Sequence, residues 1–598
     1  MKSKLLSRRD LEFLLFEWLH ADELSERERF ADHTRETIDD LLDLSEHLAS
    51  SYFAPHNKKG DVDVPTFDGH TVTSIPEVKK AWDAFVGADL IGMGMDHALG
   101  GAQLPKVVST AVLAWFAAAN ISTTGYLMLT MANANLLVTH GSWQQIGAFV
   151  RPMLAGRFSG TMALSETQAG SSLADIATRA EPQGDGTYRL FGSKMWISAA
   201  EHEMTENIVN LVLAKIPGGP PGTKGISLFI VPKFLVEADG SIGERNDVTL
   251  GGLNHKMGQR GITNTVLNFG DGTFTPGQKP GAVGYLVGEP HRGLAYMFDM
   301  MNEARLGVGA VAAALGYTGY LKSVEYARDR PQGRHLTSPS PTTPQIPIIE
   351  HADVKRMLLA QKVYAEGAMA MALYCARIVD IEQSAESEDE RDAAALLLDI
   401  LTPVAKSWPS QWCLEANSLA IQVHGGYGYT GEYDVEQHYR DNRLNAIHEG
   451  THGIQSLDLL GRKVTQRGGA SLTAVTGAIG QCVTQARSAG SELAELATQL
   501  ESAWQRLLEV TGALLGSDDI AVALANSAIY LEAFGHVVIA WMWLEQFVAC
   551  NGMIGDFYDG KRQAARYFFS YELPKVGTQL DLLESLDRTT LDMRPDWF

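Results

Sequence analysis

The sequence predicts a mainly α-helical protein with a central β domain, and two changes of pattern along the chain support this. Apolar runs that are too long for typical strands occur within residues 46–160, and long apolar-striped segments return from about Gly293. Between them, from about Thr161 to Gly288, the segments are short and rich in β-branched and aromatic residues. Gly, Pro, Asn and Asp bound these segments, as is typical of strands.

The 598 residues exceed what one hydrophobic core supports and suggest about four domains. Three long apolar-striped helices and a following segment predict a four-helix bundle after the β domain. A Pro/Ser/Thr-rich stretch, His335 to Ile349, separates the first two of these helices and predicts an extended loop. The predicted parts are an N-terminal helical extension (1–45), an N-terminal helical domain (46–160), a middle β domain (161–288), a bundle (289–465) and an additional C-terminal helical domain (466–598).

Composition narrows the class of protein. A formal charge of −22 argues against a duplex-nucleic-acid surface, which needs clustered Lys and Arg. The four cysteines are widely spaced, and the 17 histidines form no cluster at metal-ligand spacing, so we expect no disulfide framework and no metal. We find no cleavable signal and no uninterrupted apolar run of the ~18 residues that a membrane span needs. A cytoplasmic protein is therefore expected.

Two glycine patterns match dinucleotide fingerprints but stand in the wrong context. Gly426 to Gly431 fits G-x-G-x-x-G, and Gly307 to Ala312 fits its relaxed form. The first follows a helix-like run and the second lies within one, whereas a Rossmann site places these glycines between a strand and a helix. We therefore predict no nicotinamide site.

Glu449 is the candidate catalytic base. It follows the turn Asn445–His448, which includes apolar residues, and precedes Gly450. Apolar neighbours disfavour a charged carboxylate and raise its pKa toward working pH, while glycine allows backbone N–H groups to approach a ligand. A helix-capping carboxylate is the alternative interpretation of the same residue.

The segments around Glu449 resemble the acyl-CoA dehydrogenase family. Gln422, Gly425 and Gly426 match its Gln-x-x-Gly-Gly turn, and the segment from His448 to Thr451 matches its Tyr-Glu-Gly-Thr segment with histidine in place of tyrosine. The order of helices, strands and helices is also similar to that fold, in which the strands form a β-barrel. The C-terminal helical domain is similar to that of a larger subgroup. The resemblance implies that Glu449 removes the α-proton of an acyl thioester.

Two segments of the β domain resemble the family's flavin segments, and FAD is the implied cofactor. They are SETQAGS from Ser165 and Trp-Ile-Ser from Trp196; hydroxyl and backbone donors suit the polar edge of flavin, and an indole can pack against its ring. The resemblance assigns Arg305 to the substrate, and a salt bridge in the bundle is the alternative interpretation of this residue. Within one subunit, the resemblance implies FAD contacts from Met162, Leu164, Ser165, Trp196, Ser198 and Thr451. A neighbouring subunit is implied to share the FAD site through its Arg330, Gln332, Gln422, Gly425 and Gly426. The implied substrate contacts are Ser171, Arg305 and Gly450.

The implied function is FAD-dependent α,β-dehydrogenation of a saturated acyl-CoA to a trans-2-enoyl-CoA, in at least a homodimer, with an electron-transferring flavoprotein as acceptor. Straight-chain fatty acyl-CoA of medium to long length is favoured over methylthiopropionyl-CoA. An acyl-CoA oxidase and a flavin-containing DNA-binding relative are the other classes considered. Residues 471–598 carry eight Lys/Arg against sixteen Asp/Glu, which makes DNA binding the weakest of these.

Overall fold

The computed structural model describes residues 3–337 and 340–598, and the chain divides into two compact units. Unit 1 contains the chain up to Asp39, Pro105–Ala118 and Arg305–Phe598. Unit 2 contains Asp40–Leu104 and Ala119–Ala304. Two of the passages between the units, after residues 118 and 304, fall inside long helices.

The α-helices of the described residues are numbered α1 to α19 in chain order. They are Arg8–Glu12, Arg35–Leu48, Asn57–Val62, Pro76–Gly87, Lys106–His140, Trp143–Gln145, Arg151–Leu154, Gly293–Asp329, Ala352–Ser384, Glu388–His424, Val435–Arg443, His452–Gly461, Ala470–Ala489, Ser491–Leu515, Ile520–Ala525, Ser527–Ala549, Asp556–Tyr567, Lys575–Glu584 and Thr589–Asp592.

The strands of the described residues are numbered β1 to β12 in the same way. They are Thr66–Phe67, Val72–Thr73, Phe158–Ala163, Arg179–Pro182, Tyr188–Ser198, Asn207–Lys215, Ile226–Pro232, Phe234–Val236, Ile242–Arg245, Val248–Leu253, Asn264–Phe269 and Ala282–Leu286. The mainly α-helical fold with a central β domain is therefore confirmed.

Eight strands of unit 2 form one sheet in the order β10-β11-β5-β12-β7-β6-β3. Strand β4 pairs with both β5 and β6, so β5, β12, β7, β6 and β4 close a ring, as the predicted barrel requires. Strand β6 is buried on both faces, with Leu211 and Leu213 in one apolar cluster and Val212 and Ala214 in another. Burial of both faces explains why this strand reads as a continuous apolar run.

Helix α5 joins two apolar segments that small and polar residues separate in the sequence. The run Ile121-Ser-Thr-Thr-Gly125 separates two apolar segments in the sequence, yet the helix continues from Lys106 to His140. Its one irregular residue is Asn120, at φ −165° and ψ 92°. The Asn120 side-chain oxygen accepts from Thr123 N at 3.1 Å, and so caps the second half of the helix.

The helices of unit 1 comprise the predicted bundle and the C-terminal helices. Its three long elements are helices α9 and α10 and the part of α8 from Arg305 onward, and α10 contains Pro403 and Pro409 within its length. Helix α16 is apolar all round and buried, and Gly535 allows it to approach α10 closely, since a Cβ there would lie 2.7 Å from Trp408. The C-terminal helices therefore share a core with the bundle.

Helices α5 and α16 are long and apolar enough to cross a membrane by length and composition alone. Their most apolar windows are 89% and 83% buried within the protein. Core helices of that kind pass the same test, so the two helices are weak evidence for a membrane span.

The Pro/Ser/Thr-rich stretch is held at its ends by a short hairpin. Gln332 N donates to Ile346 O at 2.9 Å, and Ile348 N donates to Arg330 O at 2.8 Å. The part of the predicted loop at residues 338 and 339 lies outside the described residues. The hairpin fixes the backbone of Arg330 and Gln332, two of the predicted cofactor contacts.

Candidate active site

Glu449 lies in a short irregular connection between α11 and α12 of unit 1. Its backbone is left-handed at φ 52°, and Gly450 follows at φ 90°. Helix α12 starts at His452, with Thr451 as its N-cap: Thr451 Oγ1 accepts from Ile454 N at 3.4 Å. A non-glycine residue in the left-handed region is uncommon and marks a position held by its surroundings.

Two buried cations influence the Glu449 carboxyl. Burial raises the pKa of Glu449, while the positive charges of Arg305 and Lys406 lower it; the raising effect is larger. Arg305 Nη1 lies 3.2 Å from Asp458 Oδ2, and its residue is 4% exposed. Lys406 is fully buried, and its Nζ donates to Gly450 O at 2.6 Å. A carboxylate with a raised pKa, held among fixed groups, suits a general base.

The histidines on either side of Glu449 are neutral. Burial, assisted by the charge of Lys406, lowers the pKa of His448 to about 3 and that of His452 to about 4. Neither imidazole therefore adds charge beside the base at neutral pH. His448, which replaces the family's tyrosine, shares a hydrogen bond of 3.0 Å between its Nε2 and Asn445 Oδ1.

The predicted shared FAD contacts come together in unit 1 around one pocket of about 430 Å³. Its lining includes Arg330, Gln332, Gly425 and Gly426, whereas Gln422 is exposed but not part of that lining. Gly425 has φ 61° and ψ −136°, which only glycine adopts readily. A guanidinium, an amide and exposed glycine backbone form a donor set that suits a diphosphate.

The predicted flavin contacts of unit 2 lie where β5 bulges. The pairing of β5 with β11 shifts between Thr265↔Ile197 and Val266↔Met195, leaving Trp196 unpaired at φ 68°. A bulge re-aims a side chain, and Trp196 is 58% exposed despite its position within a strand. An exposed ring in a fixed backbone provides an apolar surface for a planar group, so the site fits flavin.

The neighbouring contacts of the same site lie along adjacent backbone. Ser165 O accepts from Met195 N at 3.0 Å, which ties the SETQAGS segment to the bulged strand. Ser198 Oγ accepts from Asn264 Nδ2 at 3.1 Å. Ser171 lies exposed, further along the same segment. Met162 and Leu164, the remaining predicted contacts, are partly buried where β3 ends.

Neither a role for Lys406 nor the ion pair between Glu166 and Lys194 was predicted from the sequence. Lys194 Nζ lies 2.9 Å from Glu166 Oε1, and both side chains are almost fully buried. Lys194 also donates to Leu164 O at 2.8 Å, so the pair fixes the segment that precedes Ser165. A lone lysine within an apolar helix or strand is the signal in the sequence that could have identified Lys406 and Lys194.

Three family descriptions match successive parts of the chain, in the order of its β domain, bundle and C-terminal helices. The family description "Acyl-CoA dehydrogenase, middle domain" matches residues 161–271, and "Acyl-CoA dehydrogenase, C-terminal domain" matches 291–464. "Acetyl-CoA dehydrogenase C-terminal like" matches 475–594. The broad-specificity linear acyl-CoA dehydrogenase FadE5 of Mycobacterium tuberculosis is 33% identical over 98% of both chains. The 3-methylmercaptopropionyl-CoA dehydrogenase of Ruegeria pomeroyi is 33% identical over 88% of both chains.

The chain belongs to the acyl-CoA dehydrogenase family. Two solved structures share its fold, each with a TM-score of 0.73: Caenorhabditis elegans ACDH-11 in complex with C11-CoA, at 18% identity over 99% of this chain and 91% of that one, and a Bacillus anthracis acyl-CoA dehydrogenase complexed with FAD, at 19% identity over 98% and 95%. The predicted family, fold class, FAD cofactor and acyl-CoA dehydrogenase activity are confirmed.

This acyl-CoA dehydrogenase is an oxidoreductase that acts on an acyl-CoA with FAD as its cofactor. The predicted domain boundaries and the roles of the individual site residues remain predictions. Arg305 is placed in an ion pair with Asp458, the alternative that the sequence left open, and its charge also lowers the pKa of Glu449.

Proposed function

We propose that Glu449 is the base that removes the α-proton of a saturated straight-chain acyl-CoA of medium to long length. The observation that supports this role is the environment of Glu449: the pKa of its carboxyl is raised, its backbone is left-handed, and the charges of Arg305 and Lys406 act on it. A raised pKa of Glu449 reduces the difference from the higher pKa of the α C–H bond, and so favours proton transfer.

The residues around the base have separate tasks in the proposed reaction. The backbone N–H of Glu449 holds the thioester oxygen, where negative charge develops as the α-proton leaves. Entry of the apolar acyl chain excludes water and raises the pKa of Glu449 further. Gly450 lets the thioester approach the backbone, because it carries no side chain. Bound FAD would supply the acceptor for the hydride that leaves the β-carbon.

The cofactor is proposed to lie between two copies of the chain. Trp196, Ser165 and Ser198 would hold the flavin of their own subunit, and Thr451 its nucleotide part. Arg330, Gln332, Gly425 and Gly426 are exposed around one pocket, as a contact to a second copy requires. We therefore propose at least a homodimer. We also propose that the protein is cytoplasmic and that an electron-transferring flavoprotein is its electron acceptor, as the resemblance to the family implies.

The substrate class is supported by relatives of two kinds. Both the linear acyl-CoA enzyme and the 3-methylmercaptopropionyl-CoA enzyme are 33% identical, but the former matches over 98% of this chain and the latter over 88%. The additional length matched favours the linear acyl-CoA class. The 3-methylmercaptopropionyl-CoA class is the alternative that an experiment must separate.

Anaerobic titration of the purified FAD-containing protein tests the substrate. Octanoyl-CoA, palmitoyl-CoA and methylthiopropionyl-CoA are added in turn while the absorbance of oxidised flavin is followed. We expect bleaching by the fatty acyl-CoAs at lower concentration than by methylthiopropionyl-CoA. Bleaching by methylthiopropionyl-CoA alone would reverse the choice of substrate. Steady peroxide formation in air without an added acceptor would identify an oxidase.

A further inference from the structure

Three consecutive residues around the proposed base are each held by one buried polar side chain of unit 1. Lys406 Nζ donates to Gly450 O at 2.6 Å, and Gln455 Nε2 donates to Glu449 O at 2.9 Å. His448 Nε2 shares a hydrogen bond with Asn445 Oδ1 at 3.0 Å. Lys406, Gln455 and Asn445 are all fully buried. The two carbonyls that flank the α-carbon of Gly450 therefore both have fixed donors.

The hydrogen bond at His448 has a defined direction, because a chain of amides ends at it. Asn417 Nδ2 donates to a backbone carbonyl, Leu315 O, at 3.0 Å, so its Oδ1 accepts from Asn442 Nδ2 at 2.7 Å. Asn445 Nδ2 in turn donates to Asn442 Oδ1 at 2.9 Å. Asn445 Oδ1 is then the acceptor and His448 Nε2–H the donor. The residue before the base is thus held from the core of the bundle.

Lys406 is the charged member of this set, and its burial needs an explanation. Helices α8 and α10 approach closely beside it: a Cβ on Gly309 would lie 1.9 Å from Ala405 O. Removing an ammonium group from water is costly unless the group is paired and hydrogen-bonded. Lys406 donates to a neutral carbonyl, and the acidic group that influences it is Glu449. Core packing alone would be met by an apolar residue of similar length.

We propose that Lys406 is a positioning residue for the base: it anchors the Gly450 carbonyl, holds Glu449 in its left-handed conformation and supplies a fixed positive charge toward its carboxylate. This inference rests on the proposed role of Glu449. Among the described residues, the other charge that acts on Glu449 is that of Arg305 in α8, which is paired with Asp458 of α12. His448 and His452, close to Glu449 along the chain, are neutral.

Charge and geometry can be separated with two variants. Lys406→Met removes both the anchor and the charge, whereas Gln455→Leu removes the anchor on the Glu449 carbonyl and leaves every charge in place. The charge of Lys406 lowers the pKa of Glu449. Its loss therefore moves the acid limb of the kcat–pH profile to higher pH. Loss of the Gln455 anchor leaves that limb in place.

The experiment compares FAD-loaded wild-type, Lys406→Met, Lys406→Arg and Gln455→Leu proteins with octanoyl-CoA or whichever acyl-CoA bleaches the flavin. We expect Lys406→Met to lower kcat by about 10- to 100-fold with little change in KM, the effect of misplacing a reacting group. Its acid limb moves to higher pH. Lys406→Arg regains part of kcat and restores the limb. Gln455→Leu lowers kcat without moving it.

Lys463→Met is the matched control, because Lys463 is another buried lysine of unit 1, paired with Asp399. We expect it to lower the thermal midpoint and to leave kcat and the acid limb unchanged. A Lys406→Met protein that matches this control in kcat and pH profile would overturn the inference. If Lys406→Met does not fold, a Lys406→Arg protein whose acid limb is displaced from that of the wild type would overturn it. Full turnover by Glu449→Gln would instead overturn the proposed function.

Discussion

Glu449 and Glu166 share one feature, a buried lysine beside a carboxyl group, and yet their acidities move in opposite directions. The pKa of Glu449 is raised, whereas that of Glu166 falls to about 2. Burial lowers the pKa of the lysine beside each, Lys406 and Lys194, to about 8. The burial of a lysine nearby therefore does not decide the acidity of the carboxyl group.

The difference lies in where the hydrogen-bond donors point. Lys194, Gln168 and the backbone and hydroxyl of Thr178 donate to the Glu166 carboxylate, and Ala177 N adds a further bond at 2.7 Å. Lys406 instead donates to a backbone carbonyl next to Glu449. Many donors to a carboxylate stabilise its anion and lower its pKa. When the donors bind the backbone instead, burial can keep the pKa of the carboxyl raised. The first arrangement builds structure, and the second suits catalysis.

The largest expected effect is the loss of activity in Glu449→Gln. We expect kcat to fall by about 10²- to 10⁴-fold, the usual contribution of a general base, while the protein keeps its FAD. Anaerobic bleaching by acyl-CoA measures this step directly. Glu415→Gln is the control, since burial also raises the pKa of Glu415 but this residue lines a different cleft of unit 1. Equal bleaching rates in Glu449→Gln and wild type would remove Glu449 from the reaction.

The next effect is on stability rather than activity, and it belongs to Glu166→Gln. This change leaves Lys194 buried with only the Leu164 carbonyl and a neutral amide, and breaking a buried ion pair costs about 3–5 kcal/mol. We expect a lower thermal midpoint and a weaker retention of FAD. The exposed pair between Arg157 and Glu206 supplies the control: Glu206→Gln should change the midpoint little.

Residues close in sequence were the ones that the sequence predicted well. Strands β5, β6, β7 and β11 lie within the region from Thr161 to Gly288 that composition and turn residues predicted to be β, because those signals are local. Lys406 was missed because its partner Gly450 lies 44 residues away, and no local pattern marks that contact. The bulge at Trp196 was missed for a similar reason, since it depends on the register against β11. The continuity of helix α5 through Ile121–Gly125 is likewise not visible in the sequence, because it depends on the cap at Asn120 and on packing.

The two carboxyl groups predict opposite dependences of stability on pH. The folded pKa of Glu166 is about 2, below the ordinary glutamate value of 4.5, so its stabilisation is complete above pH 4.5 and is lost as pH falls toward 2. The folded pKa of Glu449 lies above 4.5, so its burial favours the folded state fully below pH 4.5, and that advantage is lost as pH rises through the folded pKa.

Thermal midpoints measured from pH 3 to pH 8 test this contrast. The deficit of Glu166→Gln relative to wild type should shrink as the pH falls below 4.5. Glu449→Gln should be more stable than wild type near neutral pH and should lose that advantage in acid, since a catalytic group is often held at a cost in stability. Parallel curves for the two variants would contradict the different environments of the two carboxyl groups.

The smallest effect concerns the backbone that carries the base. Gly450 has φ 90°, and a Cβ there would lie 2.6 Å from Gln455 Nε2, the donor to the Glu449 carbonyl. Gly450→Ala should cost about 1–2 kcal/mol of stability through its left-handed backbone and should lower kcat by displacing Gln455. Gly453→Ala is the matched control, because Gly453 lies in the first turn of α12 with its nearest neighbour at 3.8 Å. Helical alanine is favoured there, so a Gly450→Ala protein as stable and active as Gly453→Ala would show that the left-handed turn is not what places the base.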